Sequence, residues 1–332
     1  MSENGSIVNS SATDGTLTIN FADTAGPFTY SGNIAPATSS RIALVKNGTG
    51  TQILSGANTY TGRTTIGGGT LTLANTAALA TGSVVDFGFS SGASLDIATD
   101  GGDNTYIVRG NSGSNFTIVS DRATVGAGIN HTLGSVSGAV GFGNATVNVT
   151  AGSNVTCGNA SITMGTINYT AGAAGTVTLN PTSAALILNG FVGNGNTTTL
   201  NLDGTNTASV VSGDITGSSL SVLKTNTGTW TLSGAQNYNT LTTSDGITNI
   251  SGSLTGGTAT VNANATTNFT ASQTLAALNI GDGAVVTLGQ LAPFPGNGEG
   301  NPQAFAAVPE PGLIGLLLAG ALGLAARRRR VA

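Results

Sequence analysis

Apolar side chains recur at every second position in short runs along most of the chain: TLTINF (16–21), TLTL (70–73), SLDI (94–97), TYIV (105–108), FTIV (116–119), TVNV (146–149), TVTL (176–179), TLNL (199–202), TWTL (229–232) and VVTL (285–288). Period two marks strands with one buried and one outward face, and the β-branched and aromatic residues that fill these runs suit a pleated surface. Gly, Asn, Ser and Asp punctuate them every few residues, where turns belong. Residues 1–307 show no helical period, so the body is expected to be all-β.

An internal repeat narrows the architecture. KNGTGTQILSGANTYTG (46–62) and KTNTGTWTLSGAQNYNT (224–240) lie 178 residues apart and share 9 of 17 positions. A short strand with SGNI (31–34) or SGDI (212–215) precedes each copy. Each copy reads strand, turn, strand, turn. A right-handed parallel β-helix, an elongated solenoid, fits this best: small residues allow tight corners, and Thr and Asn stack as side-chain ladders. At roughly 20–25 residues per turn the body holds about a dozen rungs. The competing architecture is an antiparallel sandwich.

Composition agrees. Only 10 Lys or Arg and 14 Asp or Glu occur in 332 residues, so 7% of the chain is charged; like charges on successive rungs would stack about 4.8 Å apart. Gly contributes 51 residues, and 39% of the chain is hydrophobic, enough for an ordered core. Six basic and 13 acidic residues precede position 308. That acidic body excludes a nucleic-acid partner, which needs a basic face.

The segment TGTQILSGANTYTGRTTIGGGTLTLA (49–74) resembles the autotransporter-associated β-strand repeat, whose pattern is a glycine-rich strand, LSGANTYTG, and a strand ending GTLTL. The copy at 224–254 departs from it: Gln236 and Asn237 stand where Asn58 and Thr59 do, and Thr240 replaces Gly62. The resemblance implies the passenger-type β-helix of exported bacterial surface proteins. The repeats are clearest at 43–74 and 221–254, within a body spanning 1–292. The chain shows no C-terminal run of amphipathic barrel strands, so a self-secreting autotransporter is the weaker expectation.

A Pro- and Gly-rich linker is expected at 293–307, followed by a cassette at 308–332. Val308, Pro309, Glu310 and Pro311 precede a 15-residue apolar run, GLIGLLLAGALGLAA (312–326), and then Arg327, Arg328, Arg329 and Arg330. As a helix the run would be about 22 Å long, against about 30 Å of bilayer hydrocarbon; snorkelling arginines extend it. The arginines should stay cytoplasmic, with the β body outside. The cassette resembles the PEP-CTERM sorting signal. That resemblance implies an exosortase-type processing enzyme as partner and the inner membrane as temporary anchor. It implies delivery to the cell surface or extracellular matrix of a Gram-negative bacterium. Exopolysaccharide or like chains are the further expected partners. Residues 1–25 carry neither the positive n-region nor the apolar h-region that such export requires.

Candidate chemistry is thin. The chain holds one His and one Cys. His131, without an acid or nucleophile in its strand pattern, reads as a surface turn residue, and Cys157 as inert and inward-facing. DGGDN (100–104) and GDG (281–283) read as Asx turns rather than Ca²⁺ loops. Trp230 is expected to pack on a rung face. No catalytic, cofactor or metal residue is assigned. The expectation is a non-enzymatic structural or adhesive protein. The alternative, a polysaccharide lyase or glycosidase, would draw on Asp86, Asp96, Asp100, Asp103 and Asp121.

Overall fold

The computed structural model describes residues 5–289 except 24–25, 38, 89–90, 102–105, 135–143 and 170–172. Twenty-nine strands lie in these residues, and every pairing between them is parallel. The sandwich is thereby excluded, and the body is a parallel β-solenoid. One continuous ladder climbs eleven turns, from Phe28–Tyr30 to Ala277–Ile280. Nine of these turns take 18 to 24 residues, as Leu54 to Leu73 and Lys224 to Thr243 show. The other two take 31 and 32, from Ser120 to Ala151 and from Val149 to Pro181.

Two further ladders close the prism. One, in the N-terminal half, stacks Gly15–Asn20, Ile42–Asn47, Thr64–Ile66, Val84–Phe87 and Ile107–Gly110. The other begins at Asn130–Thr132 and runs through Ala160–Asn168, Ala184–Val192 and Thr229–Leu232 to Val285–Leu288. All ten alternating runs fall on strands, with ends displaced by a residue or two; the run at 105–108 is strand only from Ile107. Alternation is kept in the burial. Along Ala145–Ala151 the sealed residues are Ala145, Val147 and Val149. Stacked inward residues form one core from Ile34 to Leu278, with a small second cluster of Val261, Ala265 and Ala284. Phe87 and Phe116 stack within the main core, ring centroids 3.9 Å apart and planes nearly parallel.

The repeat does not return to the same face of the prism. In the first copy the long ladder takes the second strand, Thr51–Leu54. In the second copy it takes the first, ending at Lys224, while Thr229–Leu232 passes to the next ladder. The two wide turns lie between the copies. They shift the sequence phase by one face while backbone pairing in the long ladder continues through them. Their extra residues form a small tab, in which Gly126–Ala127 pairs with Val155–Cys157 outside the main ladders.

Corners explain the glycines. Gly213, Gly234 and Gly252 follow one another at one corner, and a methyl group on Gly234 would meet the backbone of Gly213 and Asp214. Backbone held in two ladders has nowhere to go. We expect Gly234→Ala to cost about 1–3 kcal/mol, as overpacked cores do, read as a lower urea midpoint. Gly195→Ala, with open space around it, should stay within about 0.5 kcal/mol of the parent.

Candidate functional site

The two copies of the repeat share one device that the sequence reading did not single out. Lys46 and Lys224 are both fully buried. Lys46 Nζ donates to the carbonyls of Asn47 (2.9 Å), Gly48 (3.1 Å) and Gly68 (3.1 Å), the last from the following turn. Lys224 Nζ donates likewise to Thr225, Asn226 and, one turn on, Asp245. Each corner turns through a left-handed residue, Gly48 (φ 74°) or Asn226 (φ 59°), matched on the next turn by Gly69 or Gly246. The ammonium satisfies carbonyls that such corners leave without a backbone partner. Lys46 also sits 5.1 Å from the Phe21 ring centroid, in cation–π range. Burial lowers the pKa of both amines. Lys224 is brought to about 8, with the Asp245 and Asp203 carboxylates acting in the opposite direction.

Polar partners diverge further along the repeat. In the first copy the Asn58 amide accepts from Ile34 N–H and donates to Ala78 O, tying turns above and below. The Tyr60 hydroxyl pairs with Thr64 Oγ1 at 2.8 Å. In the second copy Gln236 donates only to Gly234 O, and Gln236 Oε1 and Tyr238 Oη are buried without partners. Ile215 N–H donates to the backbone Ala235 O at 3.1 Å, where its counterpart Ile34 donates to the Asn58 amide. Trp230 packs as expected, fully buried, its indole N–H donating to Asp203 O at 2.8 Å.

The candidate chemical groups do not assemble into an accessible site. His131 is not a surface turn residue but fully buried in a strand. Its Nδ1 lies 2.9 Å from Ser120 Oγ, and its Nε2 lies 3.2 Å from Thr99 Oγ1 and 3.3 Å from Thr99 O. This has the spacing of a nucleophile and its base, but Ser120 is sealed as well. Burial lowers the His131 pKa. Cys157 is the converse correction: it is exposed, because its strand belongs to the tab and not to the core.

Of the carboxylates proposed for an enzyme, Asp86 lies in the N-terminal ladder, ion-paired with Arg63. Asp96 and Asp121 lie on the long ladder. Asp100 follows it, paired with Arg122 at 3.1 Å. Asp103 lies outside the described residues. Burial raises Asp96 to about 6; the bond from Thr72 opposes this and the Asp121 charge adds to it. Among the described residues no three His, Cys, Asp or Glu side chains come together as a metal site, and GDG (281–283) is a corner with Gly283 left-handed.

Uncharged polar ladders run along the outward faces of the solenoid. Asn180 Nδ2 donates to Asn148 Oδ1 and Asn148 Nδ2 to Asn115 Oδ1, each at 2.7 Å, and Asn268 to Asn249 at 2.8 Å. Thr176, Thr199, Ser221, Thr240 and Thr258 stand in register up one face. No aromatic residue is among the exposed large hydrophobics of the described residues, so these faces offer hydrogen bonds and no stacking platform for sugar rings.

The linker, Val308–Pro311, the apolar run and Arg327–Arg330 lie outside the described residues. Among the described residues no helix is long and apolar enough to cross a membrane. The passenger-associated-transport-repeat family matches residues 44–73. That stretch begins inside the Ile42–Asn47 strand with its buried lysine and ends with Thr70–Leu73, directly above Thr51–Leu54. No curated protein and no solved structure matches the chain.

Two outcomes follow from these interiors. Tyr60→Phe should destabilise the fold by about 1 kcal/mol, while Tyr238→Phe, which removes an unpaired hydroxyl, should be neutral or stabilising; urea midpoints decide this. The lysines give a pH dependence. The unfolded chain holds the Lys224 proton to about 10.5 and the folded chain to about 8. The unfolded state thus binds more protons in between, and stability rises with pH there. Denaturation between about pH 8 and 9.5, below the tyrosine range, should show that rise, with a shallower slope in Lys224→Met.

Proposed function

We propose that this chain is the passenger-type body of a secreted or surface-exposed protein, a non-enzymatic structural or adhesive rod. The observation that carries the reading is the passenger-associated transport repeat at 44–73, which coincides with a turn of a parallel solenoid stacked on both sides. The sealed Ser120–His131 pair and the dispersed carboxylates support a role without catalysis. Outward Thr and Asn ladders favour many weak contacts with exopolysaccharide or like chains, where multivalency supplies the strength.

The route outward is a second element of the proposal, resting on residues 308–330. The Pro309-Glu310-Pro311 motif, the apolar run and Arg327–Arg330 suit a chain held in the inner membrane, then cut by an exosortase-type enzyme of a Gram-negative bacterium. Protease shaving of intact cells, followed by mass spectrometry of the C-terminus, separates the two elements. Solenoid peptides released from intact cells support the exposed passenger. A mature chain ending near Pro309–Gly312 supports sorting. Surface exposure with Arg327–Arg330 still attached would remove the sorting route alone; a chain confined to the cytoplasm would overturn both.

A further inference from the structure

We infer that His131 is an acid-operated latch for the tab formed by residues 122–128 and 152–159. Few side chains strap the tab together and, through Asp100 and Asp121, to the body. Arg122 donates through Nη1 to Ala127 O (3.0 Å) and through Nε to Thr124 O (3.3 Å), and its Nε also pairs with Asp100 at 3.1 Å. Thr124 Oγ1 donates to Asp100 Oδ2 at 2.8 Å. Asp121 Oδ1 accepts from the backbone N–H of Arg122 (2.8 Å) and of Asn154 (2.9 Å), which joins the two halves of the tab. His131 lies in the strand that follows the tab and connects Thr99 on one turn with Ser120 on the next. The charged groups that act on its ring are Asp121, Arg122 and Asp100, the same three that hold the straps.

The wiring sets the protonation steps. The Thr99 hydroxyl donates to Gly101 O at 2.8 Å, so both Thr99 oxygens facing Nε2 are acceptors, and Nε2 carries the hydrogen of the neutral ring. Nδ1 then accepts from Ser120 Oγ. When a solvent proton is taken up, Nδ1 becomes a donor, and the Ser120 hydrogen turns to Ile129 O, already 3.2 Å away. No hydrogen bond is lost. The added positive charge repels Arg122, attracts the Asp100 and Asp121 carboxylates and weakens their hold on Arg122. Burial keeps this from happening at neutral pH; acidification loosens the tab and exposes new backbone on the flank of the rod.

The chain supplies its own probes, one imidazole and one exposed thiol, Cys157, on the tab. A nitroxide on Cys157 of the full chain reads tab mobility, and imidazole NMR reads the ring. From about pH 7.5 to about 5 the nitroxide spectrum should gain a mobile component, in step with the ring's single titration below 6.5. In His131→Gln the mobile component should not appear. Arg122→Gln should show it at neutral pH, with His131 intact, and serves as the check if the buried substitution fails to fold. A flat nitroxide spectrum while the ring titrates, the same acid step in His131→Gln, or an immobile tab in Arg122→Gln would each overturn the latch.

Discussion

Every part of this molecule answers to the stacking of like corners on like corners. In a parallel solenoid each strand is held by the turns before and after it, so each corner must place its backbone directly over the one below. Side chains at such positions collide with backbone, which is why Gly213, Gly234 and Gly252 succeed one another. Carbonyls that bend inward need donors the ladder does not provide. Lys46, Asn58, Lys224, Trp230 and Gln273 reach across corners or turns to supply them. The scarcity of charge follows from the same constraint. Most retained charges sit at corners, in the tab or sealed against carbonyls; on the ladders, Asp86 and Arg109 stand opposite each other on successive turns and Asp96 is largely buried.

Much of this was written in period two, and the legible part was what alternation and the repeat could carry. Strands, parallel stacking and the approximate turn length followed from it. Lys46 was legible too: Ile42, Leu44 and Lys46 alternate on the inward track, as do Leu220, Val222 and Lys224. A lysine on an inward track signals a corner full of acceptors. His131 carried the same signal, since Leu133 two residues on is buried; a lone histidine judged by its chemistry, without its register, was misplaced on the surface. Cys157 failed the other way. Val155 and Cys157 alternate like a core strand, but they pair with Gly126–Ala127 outside the main ladders, and only the lengths of the two wide turns hint at this.

The phase shift between the copies has no local sequence signal. The same motif builds a corner on one edge of the prism near residue 46 and on the next edge near residue 224, because backbone pairing does not care which face a motif occupies. The first copy keeps its cross-turn amide and its paired tyrosine. The second has lost both and still stacks. Backbone ladders hold the rod; side-chain complementarity refines it. This suits a surface rod, which needs length, rigidity and a repetitive polar exterior more than a shaped pocket.

The central claim is that turns stack at a constant rise along one ladder. Replacing Cys157 and placing pairs of spin labels on outward positions tests it. With one label at Thr70 and the other at Asn201, Thr242 or Asn279, five, seven and nine turns separate the pair. The solenoid predicts distances of about 24, about 34 and about 43 Å, increasing linearly with the number of turns. Distances that do not grow with turn number, as in a folded-back sandwich, would contradict it.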